Sequence, residues 1–278
     1  MARRCELSIL YAVLCGALQG ACEFLPVSSS GHLALFHSVF GDGFKDAELG
    51  LDLLLHLGTL IAVVFSYRRD VLAIARAFFF AIGKIFRGRF GWREASSDEK
   101  TAILMIAATS PLVAAVLIKD KVEALSAYPK FVGAMLILNG AMLIFGGLIK
   151  PRGGEISSLG VKGALGVGTF QLLACLPGLS RSGSTITGGR IFGLSRDEAV
   201  RFSFLMSIPA IVGANVFGVP EVIKSGIGTD ILPAVAGFIT AAAVGFAAIK
   251  LIKRAAKKKN FNFFGIYCII LGLVTVLK

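Results

Sequence analysis

Charge is scarce in this chain. Only 17% of its 278 residues are charged, below the roughly 25% usual for soluble domains, which excludes an ordinary soluble globular protein. The cysteines, Cys5, Cys15, Cys22, Cys175 and Cys268, are odd in number and lack metal-ligand spacing, which gives no sign of a cysteine-based metal centre. Four of them lie in apolar runs, where free cysteine packs as a small hydrophobe. No convincing cleavage site follows the first apolar run, so a removable signal peptide is not expected. Acidic residues are the rarer sign, and the net charge is +12. The basic residues gather between apolar runs, which is the bias of cytoplasmic loops in membrane proteins; nucleic acid is not an expected partner.

What is present is apolar. Hydrophobic residues make up 55% of the chain and the mean hydropathy is +0.79. Runs of about 20 residues, enough to cross a bilayer, recur at 51–67, 101–118, 131–149, 202–219, 231–252 and 261–277. The expected fold is an all-α polytopic membrane protein, a single integral membrane domain over 1–278. Two further stretches, 7–35 and 161–194, are each split by a Pro/Gly/Ser break.

Loop charge orients the spans. Residues 68–100 carry Arg68, Arg69, Arg76, Lys84, Arg87, Arg89 and Arg93; residues 150–162 carry Lys150, Arg152 and Lys162; residues 253–260 carry Lys253, Arg254, Lys257, Lys258 and Lys259. These three loops are expected inside, and the acidic-leaning 42–48 and 221–230 outside. Stretch 161–194 must then cross an even number of times, and its arms are short for two spans at 1.5 Å per residue. A re-entrant helix–loop–helix hairpin fits, and 7–35 is read the same way from the opposite face.

The two broken stretches resemble each other. Gly16, Gln19, Ser28, Ser30 and Gly31 recur at one constant interval as Gly168, Gln171, Ser180, Ser182 and Gly183, with Pro26 and Pro177 one position out of step. A duplicated break points to an inverted-topology repeat, here about 1–150 and 151–278, with about six spanning helices, two re-entrant hairpins and one shared binding site between them. Polar groups at membrane depth are costly and mark functional sites.

The second loop, 177–185, combines Gly178, Ser180, Arg181, Ser182, Gly183, Ser184 and Thr185. Its glycines admit close backbone approach, its N–H groups before a helix form an anion cradle, and Arg181 offers a planar fork for phosphate oxygens. The bland reading is a capped helix break whose Arg reaches headgroups; the partner loop favours the functional one. The first loop offers Gln19 and Glu23 on one helix face, then Ser28, Ser29, Ser30 and His32. Glu23 could ligate a hard divalent cation, Mg2+ or Ca2+, activate water or accept a proton. His32 suits proton transfer, and Ser28 and Ser29 are candidate nucleophiles beside a base. His37 is expected at the interface. His56 lies within a span, facing the cavity or packing between helices. Asn139 and Asn215 read as interhelical hydrogen-bond formers, and Trp92 with the basic stretch 84–93 as a headgroup-facing segment.

At these residues the chain resembles the undecaprenyl-diphosphate phosphatase family of the bacitracin-resistance type. The matching segments are Gln19 to Glu23 running into Phe24-Leu25-Pro26-Val27-Ser28-Ser29-Ser30-Gly31-His32, and Pro177 to Thr185. Leu55-His56-Leu57-Gly58-Thr59 and Phe202-Ser203-Phe204-Leu205 extend the match. Gln19 takes a position that is Glu or Gln in the family, so a role needing a carboxylate there is not expected of this chain. The resemblance implies hydrolysis of a C55 isoprenoid diphosphate to the monophosphate, recycling the carrier lipid of cell-wall synthesis in the bacterial cytoplasmic (inner) membrane. It also implies a divalent metal and sensitivity to bacitracin. On this reading Arg181, Ser180, Ser182 and Thr185, with Gln19, Ser28, Ser30, Gly178 and Gly183, bind the diphosphate. Glu23 is metal ligand or base, His32 the acid/base, and Ser29 a nucleophile unless water attacks directly. A polyprenyl-phosphate transporter or flippase is the rival. The sequence leaves the oligomeric state open, a homodimer included.

Overall fold

The computed structural model describes residues 8–40, 45–150, 152–225, 231–257 and 261–278. Among them no strand forms; the architecture is helical throughout. The first broken stretch becomes α1 (Ile9–Phe24) and α2 (Ser29–Phe40), and α3 (Lys45–Ser66) follows. α4 (Arg68–Phe86) turns away from α3 by 88°. α5 (Ser97–Thr109) and α6 (Leu112–Leu117), divided at Pro111, lead through the short α7 (Lys119–Leu125) to α8 (Pro129–Leu148). The second broken stretch becomes α9 (Gly160–Leu173) and α10 (Arg181–Ile191). α11 (Arg196–Ser225), α12 (Ile231–Lys257) and α13 (Asn262–Leu277) complete the chain.

Four helical segments are long and apolar enough to span a bilayer: Ser97–Leu117, Pro129–Leu148, Arg196–Pro220 and Ile231–Lys257. The bent pair α3–α4 makes a fifth if counted as one. The run at 261–277 is the 16-residue α13, about 24 Å long at 1.5 Å per residue, short of a core of about 30 Å. The expectation of about six spans is therefore met by four to five.

Three local expectations change. Residues 68–100, read as a loop, hold the 19-residue α4, because their apolar residues recur at helical spacing between the charges. Asp70 accepts from Arg201 Nε of α11 at 2.9 Å, and Lys84 Nζ donates to Glu99 of α5 at 2.6 Å. Trp92 packs against the core cluster that contains Phe24, Phe202 and Phe204 rather than facing headgroups. The acidic-leaning loops shrink, since 45–48 belong to α3 and 221–225 to α11; 42–44 and 226–230 lie outside the described residues, as do Cys5 and Lys258–Lys259. The other four cysteines are free, and all but Cys175 are buried.

Glycine seams bring helices close. α1 packs on α12 and α8 on α13. A Cβ on Gly16 would stand 2.4 Å from the Gly237 oxygen, and one on Gly140 2.4 Å from the Gly265 oxygen. Membrane helices gain little from expelling water from one another, so such close backbone approach supplies the association. α3 also meets α11, and α5 meets α9. Both broken helices are thereby held against the middle of the bundle, where their loops face each other.

Candidate active site

Each broken helix restarts on a serine. The Ser28 hydroxyl accepts the Gly31 N–H at 3.1 Å, and the Ser180 hydroxyl accepts the Gly183 N–H at 3.1 Å. Both are N-cap bonds that satisfy an otherwise orphaned helix donor. Each cap serine also bonds the serine two positions on, Ser28 to Ser30 at 3.3 Å and Ser180 to Ser182 at 3.1 Å. The turns before the caps differ. Gly178 carries the positive φ of +100° in the second loop, whereas in the first it falls on Ser28 at +74°. A non-glycine residue there is strained by about 1–2 kcal/mol, and the strained carbonyl is engaged by His32 Nδ1 at 2.8 Å.

The first residue after each cap points into the shared site. These are Ser29 and Arg181, equivalent positions in the two stretches, and they meet on Glu23. Arg181 Nη2 donates to Glu23 Oε1 at 2.8 Å, and Ser29 Oγ donates to Glu23 Oε2 at 3.1 Å. Gln19 Nε2 donates to the same Oε2 at 3.0 Å. His56 faces the site, its Nε2 3.9 Å from Glu23 Oε2 while its Nδ1 lies 2.7 Å from the Asp52 carbonyl. Glu23 is 7% exposed and the Arg181 side chain 16%. A pair this buried is held by its partners: leaving either charge alone costs about 3–5 kcal/mol. Arg181 Nη1 donates to the Ser203 carbonyl at 3.1 Å. Two of the five N–H groups of a guanidinium thus orient the fork, and the others can meet an anion.

Behind the charges the loops are tied together. Asn139 of α8 donates to the Pro26 carbonyl at 3.0 Å and accepts the Ser180 N–H at 3.0 Å. Ser182 Oγ donates to the Leu25 carbonyl at 3.3 Å. Thr185 Oγ1 lies 2.7 Å from Ser203 Oγ and donates to the Arg181 carbonyl at 2.8 Å. Phe24 packs edge-on against Phe204, with ring centroids 5.3 Å apart.

Of the residues singled out in the sequence, Gln19, Glu23, Ser29 and Arg181 converge directly, and His56 joins them. Ser28, Ser30, Ser180, Ser182, Gly183 and Thr185 shape the loops through the bonds above. Gly178 lies against α8, where a Cβ would stand 2.5 Å from the Val132 oxygen. His32 stands off from Glu23: its Nε2 lies 2.7 Å from the Tyr267 hydroxyl and its ring stacks on that tyrosine. His37 packs beside Tyr11 and Phe36. Asn215 donates to Ile211 in its own helix, not to a neighbour. Sequence reasoning undervalued Asn139 and passed over the Ser203 carbonyl and Tyr267; a tyrosine hydroxyl within an apolar run was the available signal for the last.

The donors also bear on a metal ion. Among the described residues no group of three or more His, Cys, Asp or Glu side chains gathers as a ligand set, which does not suit zinc. Gln19 Oε1, however, is buried without a hydrogen-bond partner beside the Glu23 carboxylate. One carboxylate with a neutral oxygen fits Mg2+ or Ca2+, hard cations that take further ligands from phosphate and water.

The family model described as "Bacitracin resistance protein BacA" matches residues 12–274. A protein named undecaprenyl-diphosphatase from Methanosphaera stadtmanae is 35% identical over 277 residues, covering 98% of each chain. One of the same name from Rubrobacter xylanophilus is 40% identical over 263 residues and 94% of each chain, and one from Rhodopirellula baltica is 36% identical over 272 residues and 97% of each. With both loops and nearly the whole length inside the match, the chain belongs to the bacitracin resistance protein BacA family of undecaprenyl-diphosphatases.

Proposed function

We propose that this protein hydrolyses undecaprenyl diphosphate to undecaprenyl phosphate and inorganic phosphate in the bacterial inner membrane, returning the carrier lipid to cell-wall synthesis and conferring bacitracin resistance. The observation that carries the reading is the meeting of Arg181, Ser29 and Gln19 on one buried carboxylate, Glu23, at the junction of two helix N-termini. Such an arrangement offers positive charge and N–H donors to a diphosphate and a base beside a hydroxyl, which phosphoryl transfer requires.

Arg181 and the N–H groups opening α10 bind the diphosphate oxygens. Ser29 Oγ attacks the terminal phosphorus, its proton passes to Glu23, and the bond to the bridging oxygen breaks to release undecaprenyl phosphate. Water then hydrolyses the phosphoserine, again with Glu23 as base. The Ser29–Glu23 bond favours this serine over Ser28, whose hydroxyl is committed to its cap. His32, one turn beyond Ser29 and braced by Tyr267, exchanges protons at the mouth of the site. A hard divalent cation held by Glu23 and Gln19 Oε1 would neutralise phosphate charge.

We read the fold as an inverted repeat with two re-entrant hairpins, α1–α2 and α9–α10, and α13 completing about six spans. Support comes from the contacts between counterparts: α3 lies on α11 and α8 on α13, while α1 meets α12 as α9 meets α5. A pseudo-two-fold axis produces such self-paired contacts. Impermeant labelling of single cysteines tests the orientation, with Lys253 expected inside and Asp42 outside.

The deciding assay is phosphate release by purified protein from C55 and C15 diphosphates, with and without chelator. Release abolished by Glu23→Gln is expected. Movement of polyprenyl phosphate without release would instead identify a transporter.

A further inference from the structure

A second, separate concentration of positive charge lies where α8, α10, α11 and α13 come together, at the far end of α10 from Arg181. Arg190 is only 2% exposed. Its guanidinium donates to the Leu194 carbonyl at 3.3 Å and to the Ile149 carbonyl, and Arg196 Nη2 donates to the Gly147 carbonyl at 3.0 Å. The Gly147 and Ile149 bonds occupy carbonyls at the C-terminal end of α8, a favourable place for cations, and the Leu194 bond braces the link between α10 and α11.

Helix capping leaves part of each guanidinium unused. Arg190 Nε and Arg196 Nη1 are both buried without a hydrogen-bond partner. Neither side chain pairs with a carboxylate among the described residues, and the adjoining positions outside them are Pro151, Lys258, Lys259 and Asn260, none acidic. Arg190 is buried and Arg196 half-buried, and a buried cation without a counter-charge is costly. Both line a small cavity of about 10 Å3, with Gly146, Thr187 and Phe261 in its wall, room for about one water-sized group. Phe261 is the N-cap of α13, and no side chain caps that helix, so its positive end adjoins the same space. The exposed Lys150 and Arg152 follow Ile149, and the exposed Lys257 lies just before Phe261 in sequence.

We propose that this cavity is an anion site, separate from the Glu23–Arg181 centre, that receives one oxygen of a phosphate group, either from an anionic phospholipid headgroup at the basic surface of the protein or from free phosphate. Unused donors on two guanidiniums beside an uncapped helix end suit a phosphate oxygen, and the surrounding lysines and arginine suit an anionic surface. The site does not depend on the phosphatase reading.

The test uses the full chain in phosphatidylcholine nanodiscs and reads thermal stability. One arm adds phosphatidylglycerol to the disc; the other adds inorganic phosphate against chloride at equal ionic strength. A rise in Tm of about 3 °C or more is expected in at least one arm, large enough to read in a chain of this size. A rise with phosphatidylglycerol alone assigns the ligand to the headgroup, and a rise with phosphate shows that the free anion suffices. Arg196→Gln, which keeps an amide donor for the Gly147 carbonyl, is expected to lose at least half of the rise, while Arg181→Lys keeps it. Should Arg196→Gln prove too unstable, Arg196→Lys replaces it and is expected to retain only part of the rise. No rise in the unaltered protein, a full rise in the Arg196 variant, or loss of the rise in Arg181→Lys would overturn the proposal.

Discussion

The α1–α2 loop and the α9–α10 loop begin from the same pattern and end with different tasks. Both restart a helix on a serine cap whose hydroxyl takes the N–H three residues on. In the first, the residue before the break is Glu23 and the one after the cap is Ser29. In the second, the counterparts are Cys175 and Arg181. One loop therefore carries the carboxylate and the hydroxyl and the other the cation. The strain divides in the same way: the second loop takes its left-handed turn on glycine, where it is relaxed, while the first imposes it on Ser28. Repetition supplied two serine-capped helix starts, and the differences at two positions made them complementary.

Removing the carboxylate, which the second loop replaces with Cys175, should break the comparison most severely. Glu23→Gln is expected to lower turnover about 10²–10⁴-fold and to destabilise the protein by about 3–5 kcal/mol, because Arg181 is left buried and unpaired. Phosphate release and urea unfolding measure the two effects. Arg181→Lys should follow, with kcat/KM lower by about tenfold to a hundredfold. An ammonium cannot both hold Glu23 and present a fork to phosphate, and near-normal turnover at low substrate would remove Arg181 from the site. Ser29→Ala separates the chemical routes. Severe loss together with a phosphoserine trapped in the unaltered enzyme by rapid quench fixes Ser29 as nucleophile, whereas substantial turnover leaves water as the attacking group.

Smaller effects sharpen the contrast. Asn139→Leu removes the bonds to Pro26 and Ser180 and should cost about 1–3 kcal/mol of stability, visible as a lower denaturant midpoint. The smallest change is expected at Gln171, counterpart of Gln19. Both of its amide atoms are buried without partners, so Gln171→Leu should leave stability within about 1 kcal/mol or raise it and leave turnover intact. Gln19→Leu should instead lose activity and metal response, which equal behaviour of the two variants would contradict.

The sequence made the charged centre legible because membrane depth filters out idle polar residues. Glu23 and Arg181 stand out for that reason, and the repeated serine pattern assigns them to one shared site. Spans were legible by hydropathy where runs were long, but α13 is too short to pass that measure. α4 was hidden because charge count dominated its reading while its apolar face was set by period. Asn139 was legible as a polar residue in a span but not as the link between both loops, since only the fold brings residues 26 and 180 to the same amide. The bond between His32 and Tyr267 was likewise invisible, spanning 235 positions.

The Glu23–Arg181 pair also constrains how the protein is made. Its members are 158 positions apart, so at about 5–20 residues per second the carboxylate is synthesised about 8–30 s before the guanidinium that neutralises it. During that interval the nascent first hairpin lacks the guanidinium that pairs with Glu23, and lodging an ionised Glu23 in lipid without it would be costly. The hairpin must therefore wait at the water–lipid boundary or carry a proton on Glu23 until its later counterpart emerges. Docking of the second hairpin then becomes the committed step of biogenesis, and Asn139, already synthesised on α8, is in place to receive it.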